Sequence, residues 1–127
     1  MTFDELYKEA KKVTGERILS PYAQAGSVGA ALLTEQGNVF IGVCIDTACS
    51  MGFCAEHSAA ATMITSGENR VIKMVAVGED GTILPPCGRC REFIRQLHSD
   101  NLLTEVLIAP GKVVLLKDLL PFVWEQD

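Results

Sequence analysis

Two short segments, Cys54-Ala55-Glu56 and Pro86-Cys87-Gly88-Arg89-Cys90, limit what this chain can fold into. Together they carry three thiols and one carboxylate. Zinc prefers four ligands, and a site that does chemistry leaves one position open to water. A Glu beside the metal, but not bound to it, can move protons to and from that water. If three sulfurs share one ion, the fold must bring both segments to one point. Cys87 and Cys90 are separated by two residues at an expected helix start. There both sulfurs can turn to one ion, and free backbone N–H groups favour thiolates. Cys54 falls at a second helix start, with Glu56 in its first turn. Three thiolates on a divalent ion leave a net charge of about −1, which the helix ends, His57, Arg89 and Arg91 can offset. Two other uses of the thiols stay open. Cys87 and Cys90 alone could be a redox pair or half a structural site. Cys49 with Cys54, Cys87 and Cys90 would close a four-cysteine site with no chemistry.

The rest of the chain supplies a scaffold of alternating strands and helices. Thr2 and Glu5 form a possible capping box, and Phe3, Leu6, Ala10 and Val13 recur at helical spacing. Residues 16–27 read as a loop. Strands are expected over 28–34 and 39–45, joined by a short turn that forces a hairpin. The Ala-rich stretch 55–66 reads as a buried helix and 72–77 as a strand. After Pro85-Pro86 a helix is expected over 88–97, then strands over 106–109 and 113–116. Only Pro110-Gly111-Lys112 separates the last two strands. A parallel pair needs a crossover of roughly a dozen residues or more, so these two must be antiparallel. The expectation is an α/β fold: a three-layer α/β/α domain spanning residues 1–127, built on a five-stranded mixed sheet.

Composition narrows the function. The formal net charge is −5, from 16 acidic and 11 basic residues. A nucleic-acid binder needs a basic track to neutralise phosphates, so a small molecule is the expected partner. No apolar run approaches the roughly 20 residues of a membrane span. The acidic start Met1-Thr2-Phe3-Asp4-Glu5 is unlike a signal peptide, which points to the cytoplasm. Five cysteines, an odd number, suit metal or catalytic thiols better than disulfides. Hydrophobic residues make up 48% of the chain, which suggests surface hidden in an oligomer.

The two cysteine segments resemble the signatures of the small zinc-dependent cytidine deaminases, including their relatives that inactivate blasticidin S. Tyr22, the run Val28-Gly29-Ala30-Ala31-Leu32, Gly42 and Asp118-Leu119-Leu120-Pro121 extend the likeness along most of the chain. Pro86 through Arg91 and the ending from Leu119 to Glu125 look closest to the blasticidin S branch. The resemblance implies one zinc held by Cys54, Cys87 and Cys90, with Glu56 as the proton carrier. It implies hydrolysis of a cytosine nucleoside to the uracil nucleoside and ammonia, by a homotetramer. It places Cys44, Asp46, Ala55, Phe122 and Trp124 against the substrate, and His57, Arg89 and Arg91 around the metal's charge. Phe122 and Trp124 would close the pocket over the base or, alternatively, anchor the core.

Departures from the family pattern fall at substrate positions. Family members carry an N-x-E motif after the second strand's Gly, where its Asn and Glu hold the ribose; here Cys44 and Asp46 stand in those places. The family's Arg after the catalytic Glu is His57, and its Gln after the last ligand pair is Glu92. A blasticidin-like or other modified aminopyrimidine is therefore an alternative substrate. A zinc-stabilised module without catalysis is an alternative of another class.

Overall fold

The computed structural model describes residues 1–125. Helix α1 (Phe3–Lys12) opens with the expected capping box: the Thr2 hydroxyl accepts from the Glu5 N–H, and the Glu5 carboxylate accepts from the Thr2 N–H. Strands β1 (Arg17–Ser20), β2 (Ala23–Thr34) and β3 (Val39–Thr47) follow, then helix α2 (Ala55–Thr65). Next come strand β4 (Val71–Gly78), helix α3 (Gly88–Leu97), strands β5 (Glu105–Ala109) and β6 (Lys112–Leu115), and the single turn α4 (Leu116–Leu119).

Pairing sets five of the strands in the order β3-β2-β4-β5-β6, with β1 also paired to β2. Strand β4 runs parallel to β5, with α3 in the crossover, and β5–β6 is antiparallel around Pro110-Gly111. This is the five-stranded mixed sheet expected, with one strand more. Residues 16–27 are not a loop: Arg17–Ser20 pairs with Ala23–Ala25, opposite β3. All four residues of β1 are exposed, so no buried alternation marks them as a strand; pairing with β2 creates it.

Alternation along the strands divides the core between two faces. Ala31, Leu33, Val75, Val77 and Leu107 pack with Leu6 and Ala10 of α1. Leu32, Met74 and Val106 pack on the other face with Ala59, Ala60 and Met63 of α2 and Ile94 of α3. The result is three layers, α/β/α. Helix α2 is less enclosed than its composition suggests, because Ala61, Thr62, Ile64 and Thr65 face outward. Asn101, fully buried, ties α3 to β4: its side chain accepts from the Val71 N–H at 2.9 Å and donates to the Ile94 carbonyl at 2.9 Å. Among the described residues no helix is long and apolar enough to cross a membrane.

Candidate active site

The sheet fixes both cysteine segments. Beyond β3 the chain folds back, and Ile45 and Phe53 exchange two backbone hydrogen bonds, at 3.0 and 2.9 Å. Cys54 is the next residue. Beyond β4, Val77 bridges Ile83, and the Leu84 N–H donates to the Ala76 carbonyl at 2.9 Å. Pro85-Pro86 then delivers Cys87. Arg91 locks this loop: its Nε–H donates to the Pro86 carbonyl at 2.7 Å and its Nη1 to the Leu119 carbonyl at 3.1 Å. Gly42 of β3 lets α2 lie close to the sheet, since a Cβ there would stand 2.5 Å from Ala59 N.

Cys54 and Cys87 are the N-caps of α2 and α3, both in extended conformation. Cys90 lies one turn into α3. The sulfurs of Cys54 and Cys87 are 3.5 Å apart, as are those of Cys87 and Cys90, and all three lie within 4.8 Å of one another. Sulfurs bound about 2.3 Å from a tetrahedral zinc stand roughly 3.8 Å apart. The spacing and the soft donor set therefore fit zinc. Cys49 is exposed and outside this group, so the closed four-cysteine site lacks its fourth sulfur.

The three thiols differ electrically. Burial pushes the Cys90 thiol far up, and the Glu56 charge adds to this. Burial also raises Cys54, helped by its contact with Cys87. At Cys87 burial acts upward too, but the N–H of Cys90, the neighbouring thiols and the N–H of Arg89 outweigh it, and the pKa falls. The helix end thus favours a thiolate where the chain is most open.

Glu56 is 5% exposed, and burial holds its carboxyl above the usual carboxylate range. It lines a cavity of about 150 Å³ with Val28, Cys44, Ala55, Ala76, Leu84 and two of the sulfurs. An apolar cavity of about this volume accommodates a benzene ring. A second cavity of about 370 Å³ shares Cys44 and Cys54 with the first and adds Asp46, Thr47, Ser50, Phe53 and Arg89. A ring-sized slot with one buried acid and the sulfurs of Cys54 and Cys87 on its wall therefore opens into a wider vestibule that carries Asp46 and Arg89.

A family model for the cytidine and deoxycytidylate deaminase zinc-binding region matches residues 2–105. The chain belongs to this family. A cytidine deaminase of Mycobacterium tuberculosis is 31% identical over 108 residues, 84% of this chain and 78% of that protein. One of Sporosarcina psychrophila is 34% identical over 103 residues, 80% and 74% of the two chains. Among solved structures, a Mycobacterium tuberculosis cytidine deaminase superposes with a TM-score of 0.83 at 26% identity, covering 99% of each chain. That of Burkholderia pseudomallei gives 0.79 at 29% identity, covering 98% of this chain and 100% of the other. This deaminase therefore has a zinc-binding domain, and its described residues contain a three-cysteine group able to hold the ion.

Of the positions the resemblance placed against substrate, Ala55 and Cys44 line the inner cavity, and Asp46 stands in the vestibule. Phe122 and Trp124 do not join them: they are 92% and 80% exposed and line neither cavity of their own chain. That exposure excludes core anchoring. Of the three residues around the metal, His57 stands 3.2 Å from Cys90 Sγ, while Arg89 lines the vestibule. Burial, then the Arg89 charge, lowers the His57 pKa. Arg91 keeps its positive charge next to Cys90 in the chain while its guanidinium donates to the Pro86 and Leu119 carbonyls.

Sequence reasoning missed Ser27. Its Oγ lies 3.2 Å from Cys44 Sγ, which also accepts from the Val28 N–H at 3.3 Å. Only the register of β2 against β3, across the irregularity between Ala25 and Gly29, brings these residues together. No motif announces it.

Proposed function

We propose that this deaminase hydrolyses cytidine or deoxycytidine to the uracil nucleoside and ammonia. One observation carries the reading: a buried Glu56 lines a ring-sized cavity together with Cys54 and Cys87 of the three-cysteine cluster. Cys54, Cys87 and Cys90 would hold zinc, which when bound supplies a Lewis acid that makes water a nucleophile near neutral pH. The chain's own groups do the rest. Val28, Ala76, Leu84 and Pro85 wall the slot and keep bulk water from the ring. Glu56 accepts a proton from the attacking water and delivers it to ring N3, then passes the proton of the new C4 hydroxyl to the departing amine as the C4 carbonyl forms. Its raised pKa suits a group that must both take and give protons near neutrality. Atoms balance: one water enters and one ammonia leaves.

A second reading is supported at the sugar position. The Cys44 sulfur is occupied by Ser27 and Val28, and the vestibule carries the opposite charges of Asp46 and Arg89. This arrangement suits a charged substituent as well as a ribose, so blasticidin S or another modified aminopyrimidine is the rival substrate. We further propose that residues 1–127 act as one domain, in the cytoplasm, as a homotetramer. Exposed Ile18, Tyr22, Met51, Phe122 and Trp124 support the oligomer, and the aromatic tail would then reach a neighbouring subunit's site.

Ammonia release from cytidine, deoxycytidine and blasticidin S, with zinc quantified in the same sample, tests the proposal. Fastest turnover of the two nucleosides is expected. Turnover of blasticidin S alone would favour the rival, and zinc-loaded protein inert on all three would leave a non-catalytic module.

A further inference from the structure

Tyr7 stands on α1, on the face of the sheet opposite α2 and α3, yet its hydroxyl donates to the Gly81 carbonyl at 2.8 Å. Gly81 belongs to the tight turn that follows β4. Within that turn the Gly81 N–H donates to the Gly78 carbonyl at 2.9 Å and the Gly78 N–H to the Thr82 carbonyl at 2.8 Å. The Thr82 N–H donates to the Asp80 carboxylate at 3.0 Å. A turn closed on itself in this way keeps its shape, so its place is set by what holds it from outside. On one side the Glu79 N–H donates to the Ser27 carbonyl at 2.9 Å. On the other, Tyr7 holds Gly81. The residue has a φ of +89°, and a Cβ there would stand 3.1 Å from Tyr7 Oη, so glycine is what lets the hydroxyl come this close.

The turn feeds directly into the wall of the ring slot. Ile83 bridges Val77 and packs on the α1 face, in the same cluster as Tyr7. The next residue, Leu84, lines the slot on the opposite face, with Pro85 and then Cys87. The Leu84 N–H, bonded to the Ala76 carbonyl at 2.9 Å, is the last backbone donor before Cys87, because Pro85 and Pro86 have none. Past Leu84 the chain has no N–H with which to continue its pairing to β4. The segment is therefore placed from its two ends: by Arg91 on the Pro86 carbonyl downstream, and by the turn upstream. Packing does not replace the upstream hold. Tyr7 is half-buried, and it borders a cavity of about 410 Å³ with Phe3, Leu107, Pro110 and Val113.

We infer that Tyr7 is a positioning residue for the reaction: its hydroxyl, through the Gly81 carbonyl, holds the segment that keeps Leu84 and Pro85 on the wall of the ring slot. The inference rests on the substrate reading proposed above. One net hydrogen bond shifts an equilibrium by about 2–10-fold. Substrate binds more weakly in proportion to the fraction of protein whose wall is out of place. Once bound, the ring restores the wall, so the loss falls on KM rather than on kcat.

The test compares zinc-loaded wild type with three variants. Tyr7→Phe keeps the ring and removes the donor. Para-aminophenylalanine at position 7 returns an N–H donor to the same place. Thr2→Ala destabilises the same helix by removing its cap, and leaves Tyr7 intact. The readouts are KM and kcat for cytidine, zinc content, Tm, and hydrogen exchange of the Leu84 N–H. Tyr7→Phe should bind one zinc, raise KM about 2–10-fold with kcat near wild type, and speed Leu84 exchange by a similar factor. The amine should restore both, and Thr2→Ala should lower Tm while leaving both unchanged. A wild-type KM or wild-type Leu84 exchange in Tyr7→Phe would overturn the inference. So would an equal rise of KM in Thr2→Ala, or an amine variant that behaves like Tyr7→Phe, since either assigns the effect to α1 packing. Should Tyr7→Phe fail to fold, Gly81→Ala disturbs the same contact from the turn, and wild-type KM and exchange in that variant would overturn the inference equally. A wild type inert on cytidine would overturn the substrate reading alone, because Leu84 exchange still reads whether Tyr7 holds the wall.

Discussion

Gly42→Ala tests whether the close seating of α2 on β3 builds the active site. A Cβ at residue 42 would stand 2.5 Å from Ala59 N and 2.7 Å from both Cβ and Oγ of Ser58. Ordinary contact between such atoms begins at about 3.5 Å, so a separation of roughly 1 Å is missing. The Ser58 hydroxyl can rotate away, but Ala59 N is helix backbone and can move only with α2. Overpacking of this kind costs about 1–3 kcal/mol. In a chain of this length each kcal/mol lowers Tm by about 4 °C, so a loss of about 4–12 °C is expected. The functional loss should be larger. Helix α2 carries Cys54 and Glu56, whereas Cys87 and Cys90 ride on α3. A displacement of about 1 Å in a catalytic group can cost on the order of 10²-fold in rate. Gly88→Ala is the control, because nothing lies within 4 Å of its Cβ position and its φ is not left-handed. It should leave Tm unchanged or raise it, by up to about 1 kcal/mol of stability. Thermal melts of zinc-loaded protein and ammonia release would be measured on both variants. A Gly42→Ala protein with wild-type Tm and turnover would refute the reasoning, since α2 would then not rest on that glycine.

Three further outcomes are expected. Cys44→Ser and Cys49→Ser should each retain one zinc per chain by metal analysis, because neither sulfur belongs to the three-cysteine group. Removing zinc with a chelator should lower Tm substantially, because the ion ties the starts of α2 and α3 together; calorimetry with and without added zinc reads this directly. Trp124→Ala should raise KM or reduce turnover while zinc content and monomer stability stay unchanged, because the side chain is 80% exposed in its own chain. A drop in monomer Tm would instead assign it a packing role.

The parts of this molecule visible in its sequence are those enforced by local covalent or steric rules. Pro110-Gly111 allows only a tight turn, so the antiparallel β5–β6 pair followed from chain length alone. The cysteine spacing and the two helix starts made the metal cluster legible for a similar reason. What was hidden depends on pairing between distant segments. Strand β1 carries no buried alternation and exists through β2. The adjacency of Arg91 to Cys90 is visible in the sequence, but its hydrogen bonds to Pro86 and Leu119 require the loop and α4 to be in place. The same holds for the buried Arg95, whose Nε lies 2.8 Å from the Glu125 carboxylate. This contact fixes the last described turn of chain and leaves Phe122 and Trp124 pointing outward, which periodicity in the sequence could not reveal.

The central claim is that Glu56 moves the protons of a deamination at a three-cysteine zinc centre. Glu56→Gln tests it most directly, because the amide keeps the shape of the buried side chain and removes its ability to exchange protons. Zinc content and the rate of ammonia release from cytidine would be measured on the same purified sample. The expected result is one zinc per chain, an unchanged fold, and a loss of turnover of about 10²–10⁴-fold or more. A zinc-loaded Glu56→Gln protein that releases ammonia at close to the wild-type rate would contradict it.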